Sequence, residues 1–293
     1  MTDATLNHPN LIQGVFRSPS FGKTAKPALK TRFFAERIWW QTALLLLATM
    51  PVTLLALSLD DRLHNGIPIW IKPLKFQVSM ALHLATFAII ASWFQPPQRK
   101  SGWMSALAVV SSLAALVEIA LIGGQAARGV GSHFNIGASM DHIIYSVMGV
   151  GSLLLILPAL IIGIRILFAK PTDRMPNLLK AANGSGLLLS FVLTLIIAGY
   201  LSMQGSHWVE APATDVDGVP IVGWTKRGGD LRVAHFFATH LMQVIPFLGL
   251  LSVTYLGRRS RLSWSLVCCG VIGGTALTLG TFFQALAGQP FLG

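Results

Sequence analysis

Seven stretches of this sequence are apolar over lengths suited to a bilayer, and they constrain the fold more than any motif does. They run Trp39–Leu59, Pro73–Phe94, Trp103–Gly123, Ile143–Phe168, Leu187–Leu201, Phe236–Leu256 and Trp264–Leu286. Each is about 15 to 26 residues long, against the roughly 20 that an α-helix needs to cross a ~30 Å hydrocarbon core. A backbone entering lipid has to satisfy its own hydrogen bonds, which leaves helices as the economical solution for runs of this length. The predicted fold is therefore all-α, a seven-helix transmembrane bundle. The fifth run is the shortest and is expected to extend to Gln204. Pro158, Gly163, Pro246, Gly273 and Gly274 lie inside runs, where neighbouring membrane helices tolerate them.

Composition agrees, with 53% hydrophobic and only 11% charged residues in 293, where soluble domains carry roughly a quarter charged. The formal net charge of +11 would suggest nucleic acid in a soluble chain. Here the basic residues flank apolar runs and read as topology signals, so the partner is the lipid bilayer and no nucleic acid is implied. Cys268 and Cys269 are adjacent in an apolar run, which excludes a disulfide framework.

Lys and Arg collect in cytoplasmic loops. If the N-terminus is inside, 15 of the 22 fall on the cytoplasmic face, including Arg99, Lys100, Arg165, Arg174, Arg258 and Arg259. The expected topology has the N-terminus cytoplasmic and the C-terminus external. Residues 1–38 read as a basic, disordered cytoplasmic tail and residues 39–293 as the membrane domain. The one substantial loop, 202–232, is external, and its Asp217-Gly218 pair predicts a small hairpin.

The ionisable residues inside the apolar runs point to a site in the external half. Lys72, Lys75, Ser79, His83 and Thr86 on the second helix are three or four apart and share one stripe. An ionised group at the centre of a membrane helix costs roughly 2.5 to 3.5 kcal/mol, so such a stripe faces the bundle interior or water. The sixth helix repeats the spacing with Arg232, His235, Thr239 and Gln243. His240 lies about 140° around that helix from His235, so a regular helix does not aim both at one ion. The third helix adds Glu118 and Gln125 on one face, followed by Arg128, and the fourth opens with Asp141 and His142. Glu118 is expected to be ionised and paired with Lys75, Arg128 or Arg232.

These residues define an outward-facing cavity with three functional readings. As a membrane-embedded enzyme, the protein would use His83, Glu118 and Asp141 as catalytic groups. Lys72, Lys75, Arg128, Arg232 and Gln243 would bind a small-molecule substrate at the external face. His83, His235 and His240 are the candidate metal ligands, for zinc or as axial ligands of haem. As a transporter or channel, the same stripes would line a path. The third reading is a sensor or assembly protein. A retinal-type Schiff base has no lysine on the seventh helix, and neither a phosphate-binding Gly-rich loop nor a Gly-x-Ser-x-Gly elbow is present.

The segments Trp70-Ile-Lys-Pro-Leu-Lys-Phe-Gln-Val-Ser79, Gln125-Ala-Ala-Arg-Gly-Val-Gly-Ser-His-Phe-Asn135, Gly229-Asp-Leu-Arg-Val-Ala-His-Phe-Phe-Ala-Thr-His-Leu-Met-Gln243 and Gln284-Ala-Leu-Ala-Gly-Gln-Pro290 resemble an uncharacterised family of bacterial multi-pass membrane proteins. That resemblance implies a bacterial inner-membrane location and no activity. Ser79-x-x-x-His83 also looks like the Ser-x-x-x-His motif of the CREST-type membrane hydrolases, which hold zinc between seven helices. Those proteins carry paired histidines on the last helix, whereas this chain has none there.

Overall fold

The computed structural model describes residues 33–293; the basic tail expected at the N-terminus falls largely outside them. Among the described residues, seven spans are long and apolar enough to cross a membrane: Phe34–Leu59, Ile71–Ala91, Gly102–Arg128, Ser139–Phe168, Asn177–Gln204, Leu231–Tyr255 and Arg261–Leu286. The chain is a multi-pass membrane protein. In chain order the helices are α1 (Phe34–Ala48) and α2 (Met50–Leu59), which share the first span, then α3 (Ile71–Ala91), the short α4 (Pro96–Arg99) and α5 (Gly102–Arg128). The remainder are α6 (Ser139–Phe168), α7 (Asn177–Gln204), α8 (Leu231–Tyr255) and α9 (Arg261–Leu286).

Several spans are longer than their apolar cores. The first begins at Phe34, inside the segment read as tail, because Ala35 and Glu36 are buried and Glu36 takes a bidentate ion pair from Arg99. α7 starts at Asn177, well before Leu187, since its polar first turns pack against neighbouring helices: Asn183 is fully buried and bonds back to the Leu179 carbonyl. α1 and α2 part at Thr49, just ahead of Pro51, whose ring disfavours an unbroken helix through the residue before it. Gln77 on α3 braces the break by donating to Thr49 Oγ1 at 3.0 Å.

The helices pack in two groups. One core joins α1, α3, α5 and α6 around Trp39, Leu84, Phe87, Met104 and Ile162, with Leu187 and Phe191 of α7 and Met242 of α8 packed into it; the other joins α7, α8 and α9 around Leu178, Ile197, Ala238 and Ile245. Tight α6–α7 packing connects them. Across the remaining seam, α3 and α8 meet through polar side chains, with Gln243 Nε2 donating to Thr86 Oγ1 at 3.3 Å.

Loops gather at the two ends of the bundle. At the tail end, α1 and α4 are joined by Glu36–Arg99, and Arg258 pairs with Asp173. At the opposite end, here the loop end, Leu63–His64 (β1) pairs with Ile67–Pro68 (β2) around Asn65 and Gly66, both at positive φ as a two-residue hairpin turn requires. A Cβ on Gly66 would collide with Val216, so the long loop seats directly on this turn. The hairpin predicted at Asp217-Gly218 does not form. Asp217 takes a left-handed conformation in a tight turn, and the short antiparallel pairing instead joins the two ends of the loop, Trp208–Val209 (β3) with Gly229–Asp230 (β4).

Candidate functional site

At the loop end the first turns of α3 and α8 face each other beneath the long loop. Arg232, at the start of α8, is held by two carboxylates and a carbonyl: it bonds Asp215 (2.7 Å), Asp230 (2.7 Å) and the Gly223 carbonyl (2.7 Å). Asp230 is also the N-cap of α8, accepting from the Arg232 backbone N–H, and it accepts from Thr225 N–H as well. His207 lies 3.4 Å from Asp215 and stacks on Trp208 at 3.9 Å. Burial pushes the Asp215 carboxyl up, but His207 and Arg232 outweigh it and leave it below the ordinary carboxylate range. Burial also holds His207 below the usual imidazole value, against the pull of Asp215. One guanidinium thus ties loop and helix together.

The lysines are placed differently. Lys75 Nζ donates to the Val222 carbonyl at 3.1 Å, and Lys72 Nζ lies 3.2 Å from His133 Nδ1. Among the described residues, neither ammonium has a carboxylate within 4.0 Å. Two cations of α3 therefore sit under the loop facing neutral partners.

His133, in the α5–α6 connection, links them to Glu118. Its ring is held well below the usual imidazole value, first by burial and then by Lys72 and His235. An ammonium can only donate, so Nδ1 accepts from Lys72 and the ring proton sits on Nε2. Nε2 points to Glu118 Oε1 at 3.9 Å, longer than a hydrogen bond. Glu118 is only 2% exposed; neither of its oxygens receives a hydrogen bond of good geometry, and the Ser152 hydroxyl of α6 stands beside it. The expected pairing of Glu118 with Lys75, Arg128 or Arg232 is not formed. Arg232 is taken by Asp215 and Asp230, and Arg128 by Asp141 (2.7 Å). Asp141, expected to be catalytic, is clamped by Arg128 and by Gln125 (3.0 Å), two turns along α5 from Glu118.

Deeper in the seam, His83 is buried and meets Phe87 edge-on at 4.8 Å, and His240 bonds Gln243 at 3.3 Å. His83 Nε2 and His235 Nδ1 are buried without a hydrogen-bond partner. Among the described residues no three His, Cys, Asp or Glu side chains stand together as a metal-holding group, so His83, His235 and His240 do not form a three-ligand set. His235 and His240 leave α8 in different directions, as their five-residue spacing dictates. From His83 and His240 toward the tail end, α3 carries Phe87 and Ile90 and α8 carries Met242 and Ile245, each at most 1% exposed.

The stripes on α3 and α8 approach each other where Gln243 bonds Thr86, and at the loop end Lys75 and Arg232 bond the adjacent loop carbonyls of Val222 and Gly223. Sequence reasoning missed His133, His207 and Asp215, because loop residues carry no helical period that assigns them a face. Comparison with family models, curated proteins and solved structures gives no match to this chain, so the functional reading rests on geometry.

Proposed function

We propose that this protein is a membrane-embedded enzyme with a one-ended polar cavity at the loop end. Lys72 and Lys75 hold an anionic group of a small-molecule substrate, and His133 with Glu118 handles its protons. One observation carries the reading: both lysines lie beneath the loop without a carboxylate partner, while the arginines around them are paired. Cations kept in a partly desolvated site without a counter-ion lose solvation that an anionic ligand restores. The neutral His133, with its proton aimed at Glu118, is placed for general acid–base work.

The apolar, buried character of Phe87 and Ile90 on α3 and of Met242 and Ile245 on α8 supports a one-ended site over a transport path, which would need polar groups through both halves of the bundle. Zinc or haem on His83, His235 and His240 has weaker support, because the three donors are not assembled. The enrichment of Lys and Arg at the tail end favours a cytoplasmic N-terminus, an external C-terminus and a cavity that opens outward, in keeping with a bacterial inner membrane.

Thermal unfolding of the detergent-purified protein with butyl phosphate as probe tests the site. A ligand at 100 times its Kd stabilises by about 2.7 kcal/mol. The melting temperature should rise with the probe in the wild type and not in the Lys72→Met/Lys75→Met double variant. An equal rise in both would remove the anion site. Metal analysis and a visible spectrum of the same sample test the zinc and haem alternatives.

A further inference from the structure

The two oxygens of Glu118 face different compartments. Oε1 looks toward His133, on the side of the two α3 lysines. Oε2 looks toward α6, where a Cβ on Gly151 would stand only 3.2 Å away. Gly151 in turn lines an apolar groove of about 610 Å³ between α5 and α6, together with Leu113, Val117, Val147, Val150 and Leu154. Leu113, Val117, Val147 and Val150 are exposed on the outer surface of the bundle, within spans long enough to cross a membrane, so the groove opens to the acyl chains of the bilayer. Gly151 therefore borders both the groove and the carboxylate.

A buried carboxylate without well-formed hydrogen bonds behind an apolar groove is complementary to an apolar chain that ends in a donor. The groove volume falls within the ~300–1,000 Å³ of small-molecule sites. We propose that the α5–α6 groove binds a single-chain lipid whose head begins with a hydroxyl or amide donor, and that this donor hydrogen-bonds Glu118 Oε2 past Gly151. The chain lies along Leu113, Val117, Val147 and Leu154. The head stands beside the Glu118–His133–Lys72 line, whose steps are 3.9 Å and 3.2 Å. Substrate then reaches the cavity sideways from the bilayer. The proposal rests on the reading of Glu118 as a wall of that cavity and specifies which molecules it serves.

Photolabelling of the full chain in nanodiscs tests it. The probe is a monoacylglycerol carrying a diazirine in its acyl chain; the control is the methyl ester of the same diazirine fatty acid, which lacks a donor. Labelling by the probe should concentrate on peptides covering 110–117 and 147–154. It should exceed labelling by the ester about tenfold, the scale of one hydrogen bond. Gly151→Leu, which fills the space in front of Oε2, and Val147→Trp, which narrows the groove without touching Glu118, should each reduce labelling to the ester's level. Butyl phosphate stabilisation is measured on the same variants. Equal labelling by probe and ester, or labelling indifferent to both substitutions, overturns the proposal even where the anion response persists. Loss of the anion response in the wild type with donor-dependent labelling intact would instead remove the anion site and leave the groove standing. Val147→Trp keeps the test decisive if Gly151→Leu does not fold.

Discussion

At the scale of single residues, similar charges are used in opposite ways. Glu36 is 2% exposed and gripped by both nitrogens of the Arg99 fork, so Glu36→Gln strands a buried guanidinium. Breaking such a pair costs about 3 to 5 kcal/mol; a lower melting temperature with unchanged butyl phosphate binding is the expected result. Lys75→Met should act in the reverse sense. It removes a cation that only a carbonyl and nearby dipoles stabilise, so the ligand-free protein should gain about 1 kcal/mol while anion binding weakens. A variant that loses both stability and binding would show that Lys75 serves the fold.

The loop-end histidines give a pH dependence whose sign can be worked out. His64, His133 and His207 are all held below the ordinary imidazole value, chiefly by burial. As pH falls through 6.5 the unfolded chain takes up protons that the folded chain refuses, so stability is lost on the acid side and is level above about pH 7.5. Each histidine contributes a slope of up to about 1.4 kcal/mol per pH unit in that window. Asp215, depressed in the fold, adds a loss in the same direction nearer pH 4. Melting curves from pH 8 to 5 check this, and His207→Gln should flatten the profile.

At the scale of elements, α8 is held at its start and at its middle. Asp230 caps its first turn and accepts from the loop at Thr225 N–H. Asp230→Ala should cost about 1 to 2 kcal/mol for the cap alone, and should open the loop 205–228 to limited proteolysis before the bundle unfolds. At the middle, Gly186 of α7 lies against Pro246, where a Cβ would stand 2.7 Å from the ring and 3.1 Å from the Leu241 carbonyl. Gly186→Leu should therefore destabilise by at least the roughly 1 to 3 kcal/mol of an overpacked core.

Reading elements from sequence worked where the period is helical. The α3 stripe from Lys72 to Thr86 and the α8 stripe from Arg232 to Gln243 were legible because three- and four-residue spacing is a property of the backbone alone. The loop was read poorly. Asp217-Gly218 carries a turn signal as strong as Asn65-Gly66, yet only the second closes a hairpin. Flanking residues decide between them: Leu63–His64 and Ile67–Pro68 pair across Asn65-Gly66, whereas the loop ends are claimed by β3 and β4.

At the scale of the whole molecule, seven spans place the two termini of the membrane domain at opposite ends of the bundle. Reporter fusions after Gly293 and within the loops at Arg99, Arg174 and Arg259 should find the C-terminus external and those loops cytoplasmic. A reversed pattern would turn the cavity inward and make its substrate a cytoplasmic one.

Apolar run length and helical spacing by themselves determined that residues 33–293 carry seven helices long and apolar enough to cross a membrane, and two polar stripes. Both are one-dimensional quantities, set by the thickness of the bilayer and the pitch of the helix. Which charge finds which partner was decided only by tertiary structure. Arg232 could have met Glu118, but Asp215 and Asp230 reach it first from a loop whose path no periodicity encodes. That competition leaves Glu118 to His133 on one side and to the α5–α6 groove on the other, because ion pairing depends on three-dimensional distance and not on position along a helix.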